Sequence, residues 1–209
     1  GLVRAAIAAK DGGGLTYEGP YYQVKIPAFQ RPRAARQTIP VCLAAVNKGM
    51  IRAAAASADG LIGHPVFTRT YIRDSVLPVL EGSQCEMLPY VITAVADSTE
   101  QARNEARGQI AFYYTTRLYH SILEPHGWQA QGEAIASAFR QGDFAAMAAA
   151  VTDEMIDEIA IAGTPDEVRD QLKAWDGLAE HVILYTPSIG MKSGRVQENL
   201  DAIVDTFAS

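Results

Sequence analysis

The chain has 209 residues, of which 48% are hydrophobic, and a formal net charge of −6. That composition can fill a sizeable core, and the length fits a single domain over residues 1–209. An acidic balance with no basic run argues against nucleic acid and anionic membrane as partners.

Leu2 to Lys10 carries a short helical pattern, and Asp11 to Gly14 breaks it. Leu15 to Val24 is expected at the surface, turning at Glu18-Gly19-Pro20, with Tyr17, Tyr21 and Tyr22 on the edge of the core. Pro27 to Pro40 reads as a linker with several arginines. Ile39 to Ala45 is a short apolar run rich in β-formers, the pattern of a strand buried on both faces. Cys42 falls inside it and is expected to be a small core residue. Cys42 and Cys85 are too few and wrongly spaced for a zinc site or a disulfide framework, which fits a reducing cytoplasm. No apolar run reaches the roughly 18 residues of a membrane span.

Ala45 to Gly49 turns the chain, and the Ala-rich stretch Met50 to Ala58 predicts a helix. Asp59-Gly60 stops that helix, and a second strand is predicted over 60–64. Two strands joined by one such helix should be parallel, with a right-handed crossover. A helix follows over about 68–80, then a β-rich apolar run over 87–95. Asp97 or Ser98 caps the next helix, which is predicted to run to about Leu123. Gln129 to Gly163 reads as helical, with a break near Gly142-Asp143. Thr164 caps a further helix, with Pro165 in its first position and Glu167 completing the capping box. The last strand is predicted over 181–186. Arg195 to Phe207 closes the chain as a helix with Val196, Leu200, Ile203, Val204 and Phe207 on one stripe.

Ligands of parallel α/β folds collect at the carboxyl ends of the strands. The loop Ala44-Ala45-Val46-Asn47-Lys48-Gly49 and the segment from His64 to Thr68 lie at two such ends. Small residues in that loop let backbone approach a ligand, and free N–H groups at the start of the following helix can receive a phosphate. The same pattern also describes a plain βα turn with a surface lysine. His64 can orient a planar ring or act as an acid or base, or be a histidine satisfied by backbone beside Pro65. Tyr185, Thr186 and Ser188 follow the last strand and can line the same site. His120, His126 and His181 show no metal-ligand spacing, and Asp153, Glu154, Asp157 and Glu158 read as a solvated acidic face. No metal site and no catalytic residue is assigned.

The run ADGLIGHPVFT at residues 58–68 resembles the luciferase-like flavin and deazaflavin oxidoreductases, in particular the subgroup dependent on coenzyme F-420. The stretch from Ile39 to Ser57, Gly163 to Val168 and His181 to Ser188 carry the same resemblance, which matches the second half of a family member. Many members have Gly-Pro where this chain has Asn47-Lys48. The resemblance implies the C-terminal half of a (β/α)8 barrel, about four parallel strands with a helical insertion before the last. It further implies a short hairpin near residues 15–24. It also implies F-420, or otherwise FMN, held by Ala44 to Gly49 and His64, for hydride transfer or oxygenation of a small organic substrate. A complete barrel usually needs about 250 residues. The sequence is therefore expected to be a fragment, a split subunit or a half-barrel that pairs with a missing N-terminal half or with itself. The competing expectations are a non-catalytic flavin-binding half-barrel that oligomerises, and an open doubly wound domain with an unrelated ligand.

Overall fold

The computed structural model describes residues 1–10, 12–30 and 39–208. Most of the arginine-bearing linker expected over 27–40 therefore lies outside the described residues. Helix α1 (Leu2–Ala8) leads into an antiparallel hairpin of β1 (Leu15–Glu18) and β2 (Gln23–Ile26). The Arg4 guanidinium ties α1 to the body, pairing with Asp59 at 2.8 Å. Tyr21 and Tyr22 stand 88% and 65% exposed, not on the edge of the core. They sit at the hairpin turn, with no packing layer over them among the described residues.

The parallel sheet begins with β3 (Cys42–Ala44), β4 (Gly60–Ile62) and β5 (Glu86–Leu88), paired in that order. Pro89 interrupts the ladder, and β6 (Tyr90–Val95) continues the same extended segment. Pro89 has no N–H to donate, which is why one predicted strand appears as two. The Leu88 carbonyl accepts from Gly63 N–H, and the Pro89 carbonyl accepts from Ile183 N–H. Consecutive carbonyls of a strand point to opposite edges, so β8 (Ile183–Tyr185) lies on the edge away from β4.

An unforeseen strand, β7 (Ala160–Gly163), pairs with β6 along Ile92 to Val95. Sequence periodicity reads this stretch as the end of a helix. All four residues are buried, and a short apolar run after a helix has no period of its own to expose the change. Gly163 leaves room there for Glu167, since an added Cβ would come within 2.9 Å of Glu167 Cβ and crowd its capping carboxylate.

Between the strands, α2 (Lys48–Ser57) buries Ile51 and Ala54. The next helix is interrupted: α3 (Arg69–Tyr71), a π-helical turn over Ile72–Val76, then α4 (Leu77–Leu80). Pro78 explains the irregularity, since a proline inside a helix removes a donor and crowds the preceding turn. Helix α5 (Thr99–Tyr114) starts at Ser98, whose side chain accepts from Gln101 N–H, and stops well short of the predicted Leu123. Two 3-10 turns, Arg117–Ile122 and Glu124–His126, take over. The insertion continues through α6 (Gln129–Gln141), α7 (Phe144–Ala149) and α8 (Asp153–Ile159), with Gly142 in the left-handed conformation at the expected break. Three of its four clustered acidic residues are paired, Asp153 and Asp157 with Arg103 and Glu158 with Arg69, while Glu154 is exposed. Helix α9 (Pro165–Leu172) opens where predicted, with the Glu167 carboxylate accepting from Thr164 N–H at 2.8 Å.

Helix α10 (Ser193–Phe207) corrects the predicted stripe: it buries Asn199, Ile203 and Thr206, while Leu200 and Val204 are exposed. Asn199 is wholly buried because its amide completes the sheet. Its Oδ1 accepts from Val95 N–H at 2.6 Å, and its Nδ2 donates to the Thr93 carbonyl at 3.0 Å and to Thr186 Oγ1. It replaces backbone partners on the β6 edge past the end of β8. Gln171 does the same for β7, exchanging two hydrogen bonds with the Ala162 backbone.

The two faces of the sheet differ. Leu61, Met87 and Val91 point toward the helices and are buried. On the other face Cys42 and Ala44 are exposed, and Ile62, Leu88, Tyr90, Ile183 and Tyr185 are half-buried. Cys42 is thus not a core residue, because β3 is an edge strand whose second face has no covering layer among the described residues.

Candidate functional site

A cavity of about 590 Å³ opens where β3 and β4 end. Ala44, Ala45, Val46 and Asn47 form one wall, and Ile62, Gly63, His64 and Pro65 form the facing one. Tyr90, from the start of β6, and Tyr113, Leu118 and Tyr119, from the end of α5 and the following 3-10 turn, close the remaining side. Among the described residues the lining contains no Asp, Glu, Lys or Arg.

Each wall is fixed from behind. Asn47 caps α2, its Oδ1 accepting from Met50 N–H at 3.0 Å. The Val46 carbonyl accepts from the Tyr71 hydroxyl at 3.3 Å. Lys48 and Gly49 do not line the cavity. They form the first turn of α2, not part of the loop, and both are exposed. Their N–H groups belong to the first turn of the helix and have no intrahelical acceptor.

His64 stands between two tyrosines. Its ring meets Tyr113 edge-on at 4.8 Å and lies over Tyr119 at 4.1 Å. Nδ1 faces the Val66 N–H at 3.4 Å and can only accept there, so the proton sits on Nε2. Burial pulls the imidazole pKa down from 6.5 to about 4. His64 is therefore a neutral hydrogen-bond donor near neutral pH, suited to orienting a ligand and not to acid–base exchange. The Tyr113 and Tyr185 hydroxyls are 3.2 Å apart, and the Tyr185 ring packs on Tyr90 at 4.8 Å. Burial, reinforced by the Tyr185 contact, raises the Tyr113 phenol above its ordinary value. Thr186 and Ser188 serve the scaffold instead: Thr186 accepts from Asn199, and Ser188 N–H donates to the buried Gln109.

Stability should report the state of His64. Between pH 6.5 and about 4 the unfolded chain binds a proton that the folded chain excludes, so the His64 contribution is full above that window and is lost as pH falls through it. The difference in melting temperature between the parent and His64→Gln is expected to shift against the parent from pH 7 to pH 4. A difference that stays constant would mean that His64 is not buried neutral.

Five of the seven residues selected from sequence converge here: Ala44, Ala45, Val46, Asn47 and His64. The aromatic side was missed. Tyr113 and Tyr119 fall in what reads as one continuous helix, and the turn that brings both onto His64 leaves no signal in apolar spacing. A larger hollow of about 870 Å³ lies between α5, α7 and the turn at Ile189–Met191, and holds none of the residues selected from sequence.

The chain is 31% identical over 193 residues to an uncharacterised protein of Mycobacterium tuberculosis, covering 85% of this chain and 56% of that protein. It is 30% identical over 147 residues to the 5,10-methylenetetrahydromethanopterin reductase of Archaeoglobus fulgidus, covering 65% and 44%. The chain thus spans about half the length of the curated relatives it matches. Among solved structures, the coenzyme F420 dependent tetrahydromethanopterin reductase from Methanopyrus kandleri superposes with a TM-score of 0.76 at 22% identity, over 95% of this chain and 58% of that one. That likeness gives the architecture: the parallel strands and their helices are half of a luciferase-like (β/α)8 barrel. A family model for luciferase-like monooxygenases matches residues 2–180, and the chain belongs to that family.

Proposed function

We propose that this chain supplies the C-terminal half of the cofactor face of a luciferase-like oxidoreductase, using coenzyme F-420, or alternatively FMN, on a small organic substrate. The observation that carries this reading is the uncharged, tyrosine-rich cavity at the strand ends, with the first turn of α2 beside it. A planar conjugated ring fits walls of this kind, since aromatic faces and edges hold such rings without charge. The volume lies in the range of roughly 300–1,000 Å³ usual for small-molecule sites. A phosphate fits the free N–H groups of Lys48 and Gly49 and the adjoining ammonium. The relative from M. kandleri is described as F420-dependent, which supports F-420 as the first choice.

When bound, either cofactor supplies the hydride or oxygen chemistry. The residues of this chain do the rest. Tyr113, Tyr119 and Tyr90 would exclude water and pack on a ring, His64 Nε2–H would be the donor available to it, and the first turn of α2 would receive an anionic tail. Titration of F-420 and of FMN into the protein, followed by absorbance and fluorescence, tests the reading. One saturating equivalent is expected, weakened about tenfold or more in Tyr119→Ala through loss of ring contact. If neither cofactor binds, the oxidoreductase reading is wrong. Binding without turnover on any substrate would favour a flavin-binding half-barrel.

The bare sheet face bears on assembly. Four βα units leave an open strand edge and an apolar surface, which favour association. The 209-residue chain is expected to dimerise or aggregate at micromolar concentration. A monodisperse monomer in light scattering would count against this.

A further inference from the structure

The opposite rim of the sheet carries a second cluster of chemistry-bearing side chains. Glu86 opens β5, in register with Gly60, and its carboxylate oxygen lies 2.7 Å from His181 Nδ1. Glu180 adjoins His181 in the segment that leads into β8. One donor atom from each of Glu86, Glu180 and His181 lies within 4.8 Å of the other two. The frame behind them is fixed: Ile183 N–H donates to the Pro89 carbonyl at 2.8 Å, and Tyr90 pairs with Ile183. Both ligand-bearing segments therefore enter adjacent, hydrogen-bonded strands.

The charge balance differs from that of the other acidic cluster. Asp153, Asp157 and Glu158 are neutralised by Arg69, Arg103 and Arg107. Among the described residues, no lysine or arginine pairs with Glu86 or Glu180; the one cationic partner of Glu86 is the imidazole itself. Two carboxylates and one imidazole thus face each other with no fixed positive charge.

We propose that Glu86, Glu180 and His181 form a binding site for a divalent transition metal at the amino-end rim of the sheet. One nitrogen and two carboxylate oxygens make a borderline donor set, suited to Zn²⁺ and its first-row neighbours and poorly suited to Mg²⁺ or Ca²⁺. The ion would take His181 Nδ1 and one oxygen from each carboxylate, and water would complete its coordination, since His181 and Glu180 are exposed. The site lies away from the aromatic cavity, so its role is to tie β5 to the lead-in of β8.

The test is calorimetric titration of zinc chloride into the full chain carrying no affinity tag, with parent, Glu86→Gln and His181→Gln. Circular dichroism and metal-free melting confirm that all three fold alike, as expected where His181 is exposed, Glu86 is half-buried at the start of its strand and glutamine is close in size to both. The parent should bind one Zn²⁺, and each variant should bind at least about tenfold more weakly, having lost one of three ligands. Zn²⁺ should also raise the melting temperature of the parent alone. Cobalt(II) gives a second readout: visible d–d bands in the parent that are absent from His181→Gln. Equal binding by parent and variants, or no saturable binding by the parent, overturns the proposal.

Discussion

Asn199→Leu is expected to unfold the protein or bring it close to unfolding. The side chain has no exposed surface and makes three hydrogen bonds, to Val95 N–H, the Thr93 carbonyl and Thr186 Oγ1. Leucine has a similar volume but leaves the Val95 N–H and the Thr93 carbonyl buried without partners, while the half-buried Thr186 hydroxyl keeps its contact with the Pro187 carbonyl. Each unsatisfied buried group costs about 1–3 kcal/mol, so the loss from the two should be roughly 2–6 kcal/mol. That is a large part of the ~5–15 kcal/mol that holds a typical domain together. Asn199→Asp should be nearly as damaging at neutral pH. Its carboxylate can still accept from Val95 N–H, but it turns a second oxygen toward the Thr93 carbonyl and buries a charge. Urea denaturation of parent and both variants measures this. A loss below about 1 kcal/mol for Asn199→Leu would mean that water takes over the β6 edge.

Asn199 also shows where sequence stops being legible. The closing helix was readable from its apolar spacing, yet its buried face is centred on an asparagine, with Leu200 and Val204 in solvent. Periodicity scores a polar residue as outward, and only the open edge of β6 makes this one belong inside. Strand β7 failed for the complementary reason: Ala160 to Gly163 is apolar at every position, so nothing in the pattern separates it from α8. What did survive was punctuation. Ser98, Thr164 with Glu167, and Gly142 each mark a helix end by local hydrogen bonding or backbone conformation, and each stands at or beside the predicted place, whereas the Asn47 cap starts α2 two residues before the predicted Met50. The small-residue loop and His64 were legible because strand ends are fixed by chain order alone. Tyr113 and Tyr119 were not, because their approach to His64 depends on where α5 stops, and α5 stops at Tyr114 with no proline or glycine to announce it.

Gly49→Glu is expected to abolish cofactor binding while leaving the fold intact. Gly49 is the second residue of α2 and exposed, and an added Cβ meets only Asn47 Oδ1, at 3.3 Å. The backbone therefore accepts a side chain. A carboxylate in the first turn complements the helix dipole, worth about 0.3–1 kcal/mol in favour of folding. The same carboxylate competes with a phosphate for the N–H groups of Lys48 and Gly49 and repels it. Stability and affinity should thus move in opposite directions, which general damage to the protein cannot mimic. Lys48→Ala should be mild, up to about tenfold. It removes at most one charge-assisted contact, about 1.5–3 kcal/mol if largely desolvated, and Lys48 is exposed. F-420 and FMN titrations of parent and both variants, paired with thermal melts, decide the matter. If Gly49→Glu binds cofactor as tightly as the parent, the start of α2 is only a helix cap and the anionic tail lies elsewhere. If its melting temperature falls together with its affinity, the loss reflects misfolding, and the assignment of the phosphate to this turn fails.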